Sequence, residues 1–197
     1  MFAYIEGRVS EINPVCAVLD CGGVGYEIRI SLHTYSQIKD LPQAKLLVHP
    51  IYREDAQQLF GFYTAVEKQL FQLLVSVSGV GANTACMILS AMSPTETVRA
   101  IMQDDVRKIQ AVKGIGAKTA QRIIVDLKDK VGKVETAETP AAGGMLAQAY
   151  PQRETALGAL VMLGYAKSAA EKVLDKVLAV DPAADIESVI KQALRML

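Results

Sequence analysis

The stretch SVSGVGANTACMIL, Ser76–Leu89, returns 35 positions later as AVKGIGAKTAQRII, Ala111–Ile124. Seven of the 14 aligned positions are identical: Val77/Val112, Gly79/Gly114, Gly81/Gly116, Ala82/Ala117, Thr84/Thr119, Ala85/Ala120 and Ile88/Ile123. Because the identities include both glycines and the small residues after them, the copies share a backbone shape. Each has an apolar residue, a Gly-x-Gly turn and a helix that starts on small side chains. Glycine permits positive φ and lets another molecule approach the backbone closely. The turn opens into a helix N-terminus, where free N–H groups and the dipole attract an anion. Successive N–H groups in such a turn can also form an anion nest. The predicted ligand is a phosphate, held without reading bases. Two helical hairpins that need glycine merely to turn would explain one copy; a matched pair in one basic segment points to function.

The copies differ in charge. Lys113, Lys118 and Arg122 stand in the second where Ser78, Asn83 and Met87 stand in the first. The first hairpin is therefore predicted to hold DNA through the backbone around Gly79, Val80 and Gly81, with Asn83 and Thr84. The second adds cations to Gly114, Ile115, Gly116 and Thr119. The run GIGAKT, Gly114–Thr119, is not a phosphate-binding loop of the nucleotide-hydrolysing kind. That motif needs Gly directly before Lys and two glycines five positions apart, whereas Ala117 intervenes here. ATP binding is not expected.

Outward from the repeat, the hydrophobic period changes at Ala65. Before it, Phe2–Val9, Val15–Leu19, Val24–Ile30, Leu46–Tyr52 and Leu59–Tyr63 read as strands, separated by Asn13-Pro14, Gly22-Gly23 and Glu54-Asp55. Five short strands in residues 1–64 predict a small, partly open Greek-key barrel of the OB type. From 65 to 131 the period is helical: Val66, Leu70, Leu73, Leu74 and Val77 share a face, and Ser93-Pro94-Thr95-Glu96 is a capping box with proline in the first turn. Residues 132–151, GKVETAETPAAGGMLAQAYP, have paired glycines, two prolines and no period, and predict a flexible linker. Residues 152–197 predict three short helices, parted by Gly164 and Asp181-Pro182, near the lower size limit for a domain. The fold class is α+β.

Composition narrows the function. The chain of 197 residues has 21 basic and 21 acidic side chains, which excludes a uniformly basic nucleic-acid coat. The charge is nonetheless uneven: residues 1–64 carry 5 basic and 7 acidic groups, residues 65–134 carry 10 and 6, and residues 135–197 carry 6 and 8. Only the segment with the two hairpins is basic, so a nucleic-acid site belongs there. No charge occurs in the 27 residues Gln69–Thr95, but the polar residues and glycines within them read as two short helices around a turn, and no membrane span is expected. Cys16, Cys21 and Cys86 are too few for a disulfide framework, and no signal peptide is visible, so the expected location is the cytoplasm.

The strands, the paired hairpins, the linker and the helical tail together resemble the RuvA family, the Holliday-junction-binding subunits of the bacterial RuvAB branch-migration machine. The resemblance rests on GGVGYEI (Gly22–Ile28), REDAQQLFGF (Arg53–Phe62), SGVGANTACMIL (Ser78–Leu89), GIGAKTAQRIIVDLKDK (Gly114–Lys130) and ALVMLGY (Ala159–Tyr165). It implies an OB-fold, a helix–hairpin–helix domain and a three-helix tail like a ubiquitin-associated domain. It implies a homotetramer, with a second tetramer able to complete an octamer on DNA, that holds a four-way junction open in recombination, repair and the SOS response. The implied partners are junction DNA and the RuvB ATPase, with room for the RuvC resolvase. Glu54 and Asp55 match the family's acidic pin. Four subunits would bring eight such carboxylates to the junction centre, guiding strands by repulsion rather than by catalysis. Family members often carry Lys where this chain has Asn83.

A rival class is a helix–hairpin–helix repair enzyme, a nuclease or a glycosylase. A glycosylase needs a catalytic Asp, often with Lys, after the second hairpin; Asp126 and Lys128 occur there, but on a regular helix with no base-pocket signal. No clustered carboxylates suggest a nuclease metal site. His33 and His49 lack a partner motif, and Cys16 with Cys21 lack a second ligand pair, so no catalytic residue, metal or cofactor is expected. A single-strand binder fits poorly with 6% aromatic residues, since stacking platforms need them. Leu163-Gly164-Tyr165 reads either as a helix end with a capping glycine or as part of an apolar partner surface.

Overall fold

The computed structural model describes residues 2–54, 56–132, 134, 151–181 and 184–197. Strands β1 (Tyr4–Asn13), β2 (Cys16–Asp20), β3 (Gly25–Ile30), β4 (Gln43–Tyr52) and β5 (Gln57–Phe62) close a barrel in the order β1-β2-β3-β5-β4, with β1 pairing β4 to complete the ring. Only the β3–β5 pair is parallel. This is the five-stranded Greek-key barrel expected, but closed rather than partly open. Along β3, Ile28 and Ile30 point inward while Glu27 and Arg29 point out, the period of a half-buried strand. Ile5, Leu19, Ile28, Ile38, Leu46 and Val48 fill the interior.

Several strands run beyond their apolar stretches. β1 begins at Tyr4 rather than Phe2 and continues past Val9 to Asn13, because a bulge between Val9 and Glu11 resets the alternation. β4 and β5 start earlier than Leu46 and Leu59, held by ladder bonds that polar residues make as well as apolar ones. A helix, α1 (Leu32–Ile38), stands between β3 and β4, in a stretch to which the sequence pattern assigns no element. Ser31 caps it, its Oγ accepting from Thr34 N at 3.0 Å.

Five helices follow: α2 (Ala65–Val75), α3 (Ala82–Ala91), α4 (Pro94–Met102), α5 (Val106–Gln110) and α6 (Ala117–Val131). The capping box at Ser93 and Glu96 is formed in full. The charge-free stretch is divided between α2, a turn, α3 and the start of α4, and no helix among the described residues is long and apolar enough to cross a membrane. Leu70, Phe71, Leu74, Ile88, Ile101, Ile123 and Leu127 make a core that takes in Phe60 and Phe62 of β5. The Phe71 ring lies 5.1 Å from that of Phe60 and 4.8 Å from that of Phe62, so β5 joins barrel and helices. Glu67 of α2 strengthens this joint: it is fully buried and accepts from Ser31 Oγ and, at 2.6 Å, from Thr34 Oγ1.

The predicted linker needs one correction. Val134 is buried against the helical core and its N–H donates to Val131 O at 3.0 Å, so the ordered body extends past Gly132. Residues 135–150, the bulk of the predicted linker, lie outside the described residues. Pro151 already belongs to α7 (Pro151–Met162), which with α8 (Lys167–Val180) and α9 (Ile186–Met196) forms a second compact unit. Its core of Ala156, Leu160, Leu174, Val177, Val189 and Ala193 is its own.

Candidate nucleic-acid interface

The two repeats adopt one backbone shape. Gly79 has φ +91° and Gly114 φ +88°, the left-handed region that favours glycine. Val80 N donates to Val77 O at 3.0 Å, and Ile115 N to Val112 O at 3.1 Å. Gly81 then caps α3 at φ −83°, ψ 167°, and Gly116 caps α6 at φ −80°, ψ 163°. Neither cap offers a side-chain acceptor, so the first-turn N–H groups of both helices stay open to an outside anion. The side chains of Val80 and Ile115 are buried and pin each turn to the core, so only their backbones can face a ligand.

The polar side chains stand around these turns as the sequence placed them. Lys113 and Lys118 are exposed, with no ion pair among the described residues. Arg122 lies one turn along α6 and meets Asp126 at 3.6 Å, an exposed pair that leaves the guanidinium available. Thr84 and Thr119 are half-buried at equivalent positions. Met87 of α3 leans over the second turn: a Cβ built on Gly114 would lie 3.9 Å from its Cε, so the two hairpins are neighbours. Asn83 is not alone, since its Oδ1 accepts from Arg29 Nη1 of the barrel at 3.2 Å. Sequence reasoning missed Arg29 at this site. The alternation in β3 marks it as outward-facing, but nothing local indicates a partner 54 positions away.

Glu54 is exposed in the turn between β4 and β5, where Arg53 N donates to Ala56 O at 2.8 Å; Asp55 lies outside the described residues. In the second unit, Gly164 at φ +97° ends α7, with Gly164 N donating to Val161 O at 3.0 Å and Tyr165 N to Leu160 O at 3.1 Å. That is the capping role foreseen for the glycine. Beside it Met162, Leu163 and Tyr165 are exposed, which also fits an apolar partner surface.

Asp126 faces Arg122, and Lys128 pairs with Asp104. His49 packs edge-on against Phe71, and burial holds its pKa below the usual histidine value. Among the described residues no group of three or more His, Cys, Asp or Glu side chains could hold a metal ion. All three cysteines are free thiols.

A closed OB-type barrel packed on a tandem helix–hairpin–helix, with two open helix starts in a basic segment, places this chain in the class of DNA-binding proteins. Family descriptions match in the same order: RuvA N terminal domain over residues 1–61, SAM-like helix-hairpin-helix tandem over 71–129, and RuvA C-terminal domain over 151–197. The chain belongs to the RuvA family. Full-length relatives include proteins named Holliday junction branch migration complex subunit RuvA. Those from Bacteroides fragilis (47% identical over 201 residues), Christiangramia forsetii (46% over 197) and Porphyromonas gingivalis (41% over 203) each match over 100% of both chains.

Proposed function

We propose that this chain is the non-catalytic, junction-binding subunit of a branch-migration complex. It grips four-way DNA through the backbone N–H groups and cations of its two hairpins and does not read sequence. The observation that carries this is the matched pair of uncapped helix starts at Gly81 and Gly116, with Lys113, Lys118 and Arg122 beside the second. A phosphate is the anion that such donors suit, and regular spacing along DNA suits two of them. The assembly we infer is a homotetramer, able to pair into an octamer on DNA, with Glu54 and Asp55 of each copy near the crossover. Leu163, Gly164 and Tyr165 mark the surface for a RuvB-type ATPase, and a RuvC-type resolvase can act on the same junction. The setting is the bacterial cytoplasm.

Fluorescence anisotropy with a synthetic four-way junction, the matching linear duplex and arm-shuffled junctions tests this reading. Junction binding should be the tightest, shuffling should change little, and affinity should fall with salt as counterions are released. Equal affinity for linear duplex would overturn it. Cleaved strands or free bases appearing with Mg²⁺ would instead favour the repair-enzyme alternative.

A further inference from the structure

The first hairpin lacks the cations that surround the second. At the second position of α6 stands Lys118; at the second position of α3 stands Asn83. Yet the Asn83 side chain is met by a cation from another element, because Arg29 Nη1 donates to its Oδ1 at 3.2 Å. Arg29 is exposed, makes no ion pair among the described residues, and sits on the outward face of β3 between its register partners Cys16 and Phe60. A guanidinium has five N–H donors, so one bond to Asn83 leaves the others free. Its place beside α3 is fixed by more than this bond. Leu32 N donates to Ser90 Oγ at 3.1 Å, tying the chain just after β3 to the far end of α3, and Arg29, Asn83, Met87 and Ser90 line one shared groove.

We propose that Arg29 of the barrel is the phosphate-binding cation of the first hairpin, held over the start of α3 by Asn83. It does for that hairpin what Lys118 does for the second. DNA binding would then span both domains of the first unit. This rests on the phosphate reading of the hairpins given above. It also makes Asn83 a positioning residue, because an amide oxygen can orient a guanidinium where a lysine would repel it.

The test is the salt dependence of junction binding by the full-length protein, measured by anisotropy for the wild type, Arg29→Ala, Arg29→Lys and the double variant Arg29→Ala with Asn83→Lys. Each phosphate contact contributes about 0.9 to the slope of log affinity against log salt. Arg29→Ala should lower the slope by about one, and weaken binding at low salt by about tenfold, for each bound subunit that loses its charge-assisted bond. Arg29→Lys should keep most of the slope. The double variant should restore it, because Asn83→Lys returns a cation to the hairpin without restoring the cross-domain bond. An unchanged slope in Arg29→Ala overturns the proposal. So does a reduced slope that accompanies a lowered melting temperature and is not rescued by Asn83→Lys, which is the signature of a merely structural tie. If the wild type shows neither junction preference nor salt dependence, the phosphate reading of the hairpins fails with it, and that result is visible before any variant is compared.

Discussion

Glu67 is the most deeply placed acid among the described residues, and its surroundings decide when its proton leaves. Burial pushes its carboxyl above the ordinary glutamate value of 4.5, against the opposing pull of hydrogen bonds from Ser31 and Thr34 and of nearby His33. The unfolded chain gives up this proton at about 4.5, while the folded chain keeps it to higher pH. Its contribution to stability is therefore fully present below that value and is lost as pH rises through the folded pKa. Glu67→Gln should flatten the dependence of melting temperature on pH above this range, gaining on the wild type as pH rises. Parallel melting curves for the two proteins would show that the charge is not the cause. Glu67→Ala should lower the unfolding free energy by about 2–4 kcal/mol in urea titrations, since two buried hydroxyls lose their acceptor and a cavity opens. Charge acts differently at Glu54, which is exposed at a hairpin tip. If Glu54 and Asp55 face phosphates, Glu54→Gln with Asp55→Asn should retain or tighten junction binding while changing the rate of branch migration, because repulsion is removed. A large loss of binding with folding intact would place the pair in a supporting role instead.

At the scale of the hairpins, the two glycines of each motif have different reasons to be glycine. Gly79 and Gly114 sit at positive φ, so alanine there strains the turn by about 1–2 kcal/mol whatever space surrounds it. Gly81 and Gly116 sit at negative φ with nothing within 4 Å of an added Cβ, so alanine meets no clash there and costs only about 0.5–1 kcal/mol as a poorer N-cap residue. If a phosphate approaches these helix starts as proposed, a methyl there would fill the space it needs. Gly81→Ala and Gly116→Ala should therefore melt within about 2–4 °C of the wild type and lose junction affinity, whereas Gly79→Ala and Gly114→Ala should lose affinity with a larger drop in melting temperature. If the cap variants bind like the wild type, the anion does not come to these helix starts. These motifs were legible because their signals are local: repeated glycines, small helix-starting residues, a capping box and the alternation Glu27-Ile28-Arg29-Ile30. Helix α1 was not legible, because its buried residues are Thr34 and Ile38 and its polar groups are satisfied by Glu67, 33 and 36 positions away. The far end of β1 was hidden by its bulge, and the place of Arg29 by a partner on a different domain.

At the scale of the whole chain, the two compact units keep separate cores. The helical core of the first unit reaches to Val134, and the core of the second draws only on residues from Ala156 onward. A chain cut at Gly132 would remove Val134 from the first core and mix a packing defect with the loss of the tail. A chain ending at Val134 avoids this, because every described residue of the first unit's two cores is retained. It should melt cooperatively and bind four-way junctions with the affinity and salt slope of the full chain, since both hairpins, Arg29 and the β4–β5 turn precede the cut. The second unit offers no Gly-x-Gly turn, lies in a net acidic third of the sequence, and exposes Met162, Leu163 and Tyr165 at the end of α7. An apolar surface with little positive charge suits a protein partner better than phosphate. The shortened chain should therefore fail to stimulate ATP-driven branch migration when mixed with a purified RuvB-type ATPase and a junction carrying a labelled arm. Full migration by the shortened chain would remove the motor contact from the tail. Weakened junction binding, with the melting temperature unchanged, would instead show that the second unit shares in the grip on DNA.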